Sequence, residues 1–457
     1  MDPLRPISED LRLFVGRDEE TRRYLVDLLS DKRALKVVTG DVGVGKTTFV
    51  NACQYMSYAG QSPDGFPFEL PKLLPCFDKI QVREGNNLDV FFQQVMVTIC
   101  QSIAYHCKIA TIEPPTLVKE YLRFFLDLNI QSGGAGGSVG FNLPAGFGIE
   151  LGGSGKASTP TSIKNIRHHL LKLVELSMDE LRFDGISVVV NNLDILSKDS
   201  LLQFVNEARD ELFDIPGIYW TLIGRKGIAT VISTESDRVG DYLSGTELCL
   251  TPLKFPDTKQ IIDRRVDELR LDSRPDAVCP LQEDMIYLFH DMSLKETRET
   301  LSICGEVVRR VIGVNPALKI IPREIAVSAF VQYAYERAKD LDLSESKVKI
   351  LSAVWAKESC RPKDFANFDY KTIQGFNSAL KVLSDKGILS VEEKGRARIY
   401  RMTGLTVLAA ITGALGEEIR QAAASQMNKL SEPVASTMES EPTAFDEAQL
   451  SLELDED

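Results

Sequence analysis

The residues of this 457-residue chain best equipped for chemistry are Gly40-Asp41-Val42-Gly43-Val44-Gly45-Lys46-Thr47. They satisfy the spacing G-x-x-x-x-G-K-[ST] and stand between a β-branched run, Leu35 to Gly40, and the helical pattern TTFVNACQYM. Glycines at these steps let successive backbone N–H groups converge on phosphate oxygens, at a helix N-terminus that already favours anions. Lys46 would neutralise the β and γ phosphates, the Thr47 hydroxyl would hold magnesium, and Thr48 would complete the cradle. The pattern predicts a nucleoside triphosphate site, with ATP and Mg2+ expected.

Such a site needs an acid at the end of a neighbouring strand to hold magnesium and a water. The apolar run GISVVV, from Gly185, ends instead in Asn191-Asn192-Leu193-Asp194. An amide can hold a metal-bound water, but it carries no charge and takes no proton at neutral pH. Either Asp194 reaches back to serve, or hydrolysis is slow.

The elements that must position these groups read as α/β. From Phe14 to about Thr251, short β-branched runs alternate with longer helical patterns, as in a parallel sheet covered on both faces. Residues 1–252 are therefore expected to form a P-loop sheet domain. Glycine-rich residues near 132–158, with alternating apolar positions about Pro144-Ala145-Gly146, predict an inserted β-hairpin. It is either a tolerated surface excursion or a mobile contact to a neighbouring subunit or ligand. Helical periodicity dominates 253–343, a separate helical domain. A short module follows over 344–410, and 411–457 is polar, acidic and expected to be largely disordered, above all from Ser431.

Bulk composition excludes several classes. Hydrophobic residues make up 44% and charged residues 26%, ordinary for a soluble globular chain. No run of 18 apolar residues and no basic-then-apolar leader occurs, so a cytoplasmic protein without membrane spans is expected. The eight cysteines form no Cys-x-x-Cys pair and the four histidines no metal spacing, which predicts buried free thiols. The net charge of −13 conceals segregation: Glu345 to Gly404 carries a net of +5, and Leu405 to Asp457 a net of −9.

In order along the chain, these features resemble AAA+ ATPases of the origin-recognition initiator clade, which includes prokaryotic mobile-element and defence ATPases. The resemblance starts at Phe14-Val15-Gly16-Arg17-Asp18-Glu19-Glu20, similar to an Arg-Asp-x-Glu box ahead of the P-loop, and continues through the P-loop itself. Asp237-Arg238-Val239 and the residues after it look like an arginine-bearing segment leading into a lid, and SLKETRETLSICGEVVRRV resembles a sensor-2 helix. The resemblance implies that 253–343 is a lid. It implies that Arg298 approaches the γ-phosphate in the same chain and that Arg238 serves a neighbour's nucleotide, through self-association. It also implies a polar sensor-1 residue, for which Thr221 and Arg225 are the candidates. The asparagine pair departs from the pattern and puts rapid turnover in question.

The 344–410 module reads as three helices, SKVKILSAVWAKE, RPKDFANF and YKTIQGFNSALKVLSDKGIL, then strand, turn and strand in SVEEKGRARIYRM, which looks like a winged helix. Its third helix would expose Lys371, Gln374, Asn377 and Lys381, and its wing Lys394, Arg396, Arg398 and Arg401, residue types that contact phosphates and groove edges. Aromatic interleaving is absent, so duplex DNA is the expected partner. A second reading is a STAND-type signalling ATPase whose winged helix packs on the nucleotide domain and whose partner is a protein. In the tail, Gln449, Leu450, Leu452 and Leu454 of QLSLEL resemble a peptide by which bacterial replication proteins dock on the sliding clamp.

Overall fold

A computed structural model describes residues 6, 8–30, 35–82, 88–131, 166–241, 243, 247–268, 270, 278–341, 343–357, 359–368, 370–386, 388–394, 397–403, 421 and 423–428. The expected hairpin at 132–158 lies outside them, as does the QLSLEL peptide.

The chain is α/β. Among the described residues six strands form one parallel sheet: β1 (Lys36–Gly40), β2 (Leu73–Pro75), β3 (Ile80–Gln81), β4 (Gly185–Asn191), β5 (Ile218–Gly224) and β6 (Leu248–Leu250). Their order is β2-β4-β5-β1-β6, with β3 also pairing β4. Both faces are covered, and successive residues show it. Val37, Val188 and Leu222 enter one buried cluster, while Val38, Val189 and Ile223 enter the cluster on the opposite face. That explains the unbroken apolar runs, since each residue taken wholly from water contributes about 1.5–3 kcal/mol. Helices α1 (Asp18–Ser30), α2 (Lys46–Ala59), α3 (Leu88–Ile109), α4 (Thr116–Gln131), α5 (Ile166–Asp179), α6 (Lys198–Ala208) and α7 (Ile228–Glu235) surround the sheet.

Helices α8 (Phe255–Glu268), α9 (Glu283–Met292), α10 (Thr297–Val314) and α11 (Arg323–Asp340) pack around a second core. Phe289 and Phe330 stack in it at 5.1 Å. Val15 and Leu253 join this core, so the chain just ahead of the P-loop is packed against the helical region. Ala423 and Met427 join it as well, and Ser328 Oγ donates to Gln426 Oε1. The segment expected as tail from 411 therefore includes a stretch with buried contacts, its apolar residues spaced four apart so that both meet the same core.

Between α11 and that returning stretch lies a module with its own core: α12 (Glu345–Lys357), α13 (Ile373–Asp385) and the antiparallel pair β7 (Leu389–Lys394) and β8 (Ala397–Met402). Pro362–Phe368, expected as a helix, is a 3-10 turn. Tight i→i+3 pieces of this kind are common as connectors between longer elements. All eight cysteines are free thiols, six of them buried. No helix among the described residues is long and apolar enough to cross a membrane.

Candidate nucleotide site

β1 ends at Gly40, and α2 begins at Lys46 with Gly45 as its N-cap. The intervening loop depends on left-handed backbone: Gly43 has φ +78° and Gly45 φ +94°. A Cβ on Gly40 would lie 2.6 Å from the Leu250 carbonyl oxygen of β6, so only glycine lets β1 turn there. At Gly45 a Cβ would meet nothing within 4 Å, which leaves the helix N-terminus open toward the cavity. Arg17, which is buried, braces the loop. Its Nη2 donates to the Val44 carbonyl at 3.0 Å and its Nη1 to Glu20 Oε1 at 3.0 Å.

Lys46 folds across the loop and donates from Nζ to the Gly40 carbonyl at 2.9 Å and the Asp41 carbonyl at 3.0 Å. Burial holds its ammonium below the usual lysine range and nearby Arg298 acts in the same sense, while Asp194 and Asp41 oppose them. Charges from two distant parts of the chain, Asp194 and Arg298, thus reach Lys46. The cavity above has three walls: Gly43 to Phe49 from the P-loop, Leu13 to Val15 with Arg17, and a helical wall of Leu253, Ile261, Arg265, Thr297, Arg298 and Leu301. Its polar floor and apolar sides suit a polyphosphate carrying a flat ring. The open Gly45 step and Thr47 among the lining residues fit a bound nucleotide, whose phosphate charge magnesium would screen.

The remaining predicted residues sort by position. Asn191 closes β4, where its carbonyl accepts from Val82 N at 3.3 Å. Asn192 has φ +65° and caps the 3-10 turn Leu193–Ile195, a conformation asparagine tolerates better than most residues. The backbone gives Asn192 a reason to be asparagine that owes nothing to a metal. Asp41 and Val42 are exposed at the loop tip. Arg238 lies in the turn Asp237–Gly240, and its side chain is outside the described residues.

The two sensor-1 candidates separate. Thr221 is mid-strand and buried, its Oγ1 2.7 Å from the Tyr24 hydroxyl, and burial pushes the Tyr24 phenol well above its usual range. Thr221→Val should lower stability by about 1–3 kcal/mol, because it strands a buried hydroxyl, and leave ADP affinity within about twofold. A stable variant that binds ADP poorly would show that Thr221 reaches the ligand. Arg225, by contrast, is exposed just beyond β5, where the register Thr39↔Gly224 brings it level with Gly40.

Sequence reasoning missed three charged residues here. Arg265 lines the cavity from α8, one turn after Ile261 on the same face, a spacing that was legible. Burial holds its guanidinium below the usual range, against the pull of Asp10. Glu247 accepts from Gly227 N at 3.0 Å, Ala229 N at 3.3 Å and the Thr39 hydroxyl, so it ties α7 to β1 and sets the turn that carries Arg225. Glu296, on the link before α10, lies against Gly43.

In the C-terminal module Lys371, Gln374 and Lys381 are exposed, and Gln374, Asn377 and Lys381 share the α13 face opposite buried Phe376, Leu380 and Leu383. Asn377 accepts from the Tyr400 hydroxyl at 3.5 Å, which ties the helix to β8. Arg398 and Arg401 are placed on β8, and Arg401 is exposed, while Lys394 closes β7 with its side chain outside the described residues, as is all of Arg396. The register sets Glu393 opposite Arg398.

No protein-family model matches the chain, and no curated protein matches it. Solved structures do. The ORC2 protein of Aeropyrum pernix, in ADPNP-ADP complexes, is 12% identical over 90% of this chain and 94% of its own, with a TM-score of 0.43. The ORC1 protein of the same organism, in complex with DNA, is 15% identical over 92% and 95%, with a TM-score of 0.40. The Walker-type ATPase PABY2304 of Pyrococcus abyssi is 14% identical over 91% and 99%, with a TM-score of 0.47. Likeness this loose bears on neither activity nor ligand.

Proposed function

We propose that this chain is an ATP-binding switch of the AAA+ type, with slow hydrolysis, whose C-terminal winged helix binds duplex DNA in replication, a mobile element or defence. The observation that carries the reading is the meeting, on one cavity, of the P-loop with Lys46 and the helical region with Arg298. Bound phosphates would draw both cations together, so that nucleotide occupancy sets the lid against the sheet. Lys46, Thr47 and Thr48 hold the nucleotide, Asp194 supplies the acid, and Arg238 serves a neighbouring subunit. Lys371, Gln374 and Lys381 with the basic residues of the wing face the DNA. The QLSLEL peptide is a docking segment for a sliding clamp in this reading.

A gel-shift titration of duplex DNA with and without ATP tests the switch. Charge reversal at Arg396 and Arg398 should weaken binding alike across sequences and lower the salt slope by about one for each phosphate no longer neutralised. Unchanged affinity would favour the second reading, a signalling ATPase with a packing module. The return of Ala423 and Met427 to the lid core, which tethers that module at both ends, speaks for that alternative.

A further inference from the structure

The acid against the P-loop is built into place. Gly43 stands in the cavity wall beside Gly45 and Lys46, and a Cβ on it would overlap the Glu296 carboxylate. The link that delivers Glu296, Ser293 to Glu296, passes through two left-handed residues that are not glycine, Leu294 at φ +57° and Lys295 at φ +63°. Such residues hold this conformation only where the surroundings fix it. Here the surroundings do. Leu294 N donates to Asp291 O at 3.0 Å, Lys295 N to His290 O at 2.9 Å and Glu296 N to Ser293 O at 3.1 Å. The Ser293 hydroxyl also lies 2.7 Å from Thr300 Oγ1, which pins the turn to α10. Glu296 is moreover the N-cap residue of α10, yet its side chain makes no capping hydrogen bond. Aspartate at this position ordinarily serves the first-turn N–H groups, but glutamate is a methylene longer and is not a preferred cap. Its carboxylate lies against Gly43 of the P-loop.

We propose that Glu296 sets nucleotide affinity: in the nucleotide-free protein its carboxylate stands at the P-loop as an anion, and a polyphosphate must displace it. The inference rests on the nucleotide reading of the P-loop. Two anions repel strongly in a partly dehydrated cleft, so phosphate entry drives the carboxylate out, and the locked turn moves with it. Arg298 follows two residues later, and the same displacement re-aims it at the phosphates. Glu296 thus lowers affinity while making lid position depend on phosphate occupancy.

Calorimetry of ADP binding to the full chain tests this, with wild type beside Glu296→Gln and Glu296→Asp. Glu296→Gln keeps the shape and removes the charge, and it should tighten ADP by about tenfold. Glu296→Asp keeps the charge and should stay within about threefold of wild type. Equal tightening in both variants would mean that only packing had been released, and the inference fails. Unchanged or weaker binding in Glu296→Gln overturns it too. If neither wild type nor Glu296→Gln binds ADP, the nucleotide reading fails and takes this inference with it.

Discussion

Lys46→Ala should weaken ATP and ADP binding by more than about a hundredfold, while the nucleotide-free protein melts no earlier than wild type. The two halves of this result have one origin. Without nucleotide, burial disfavours the ammonium, and this offsets the loss of its two bonds to the loop carbonyls of Gly40 and Asp41. With nucleotide bound, the same ammonium faces several phosphate charges. One such pair at about 4 Å is worth roughly 4 kcal/mol at the effective dielectric of a protein surface, before the cost of dehydration. Removing the charge therefore costs binding far more than folding. Isothermal calorimetry with ADP and a thermal melt without ligand separate the two quantities. Unchanged affinity would overturn the site assignment, and an early melt would show that Lys46 holds the loop together.

The second large effect concerns turnover. Wild-type protein should hydrolyse fewer than about one ATP per second, at or below the low end of related phosphoryl-transfer enzymes. Asp194→Ala should reduce that residual rate about a hundredfold with ADP affinity retained. Asn191 and Asn192 offer no carboxylate, and the left-handed backbone of Asn192 starts the turn that carries Asp194. Asp194 is the first of the acids whose charge Lys46 feels, which makes it the acid to test. A phosphate-release assay reads both rates. Turnover above about one per second in wild type would refute slow hydrolysis, and an unimpaired Asp194→Ala would remove Asp194 from the chemistry.

Legibility in the sequence followed how local each feature is. The P-loop is fixed by neighbouring residues from Gly40 to Thr47, and the two strands that carry the site, β1 and β4, announce themselves by unbroken burial on two faces. The placement of Arg298 was legible only through its resemblance to a lid helix. Glu296 was not legible at all, because its meaning depends on a turn that folds it onto Gly43, far away along the chain. Thr221 shows the opposite limit. Its type suited a sensor, but strand register points its hydroxyl to Tyr24, and alternation along β5 cannot be phased from one sequence. The end of the described chain misled for a composition reason: Ala and Met amid polar residues read as solvated, though their spacing makes Ala423 and Met427 one buried face.

Ala423 and Met427 finish a core whose other members end at Ala334. On the ribosome, at about 5–20 residues per second, roughly 5–20 s separate the emergence of those two parts. For that interval the helical core presents an unfilled apolar seam to solvent, while the module between them can already fold on its own core. Synthesis thus runs through a partly assembled species that a chaperone could recognise, and slow codons within residues 404–427 would lengthen its life.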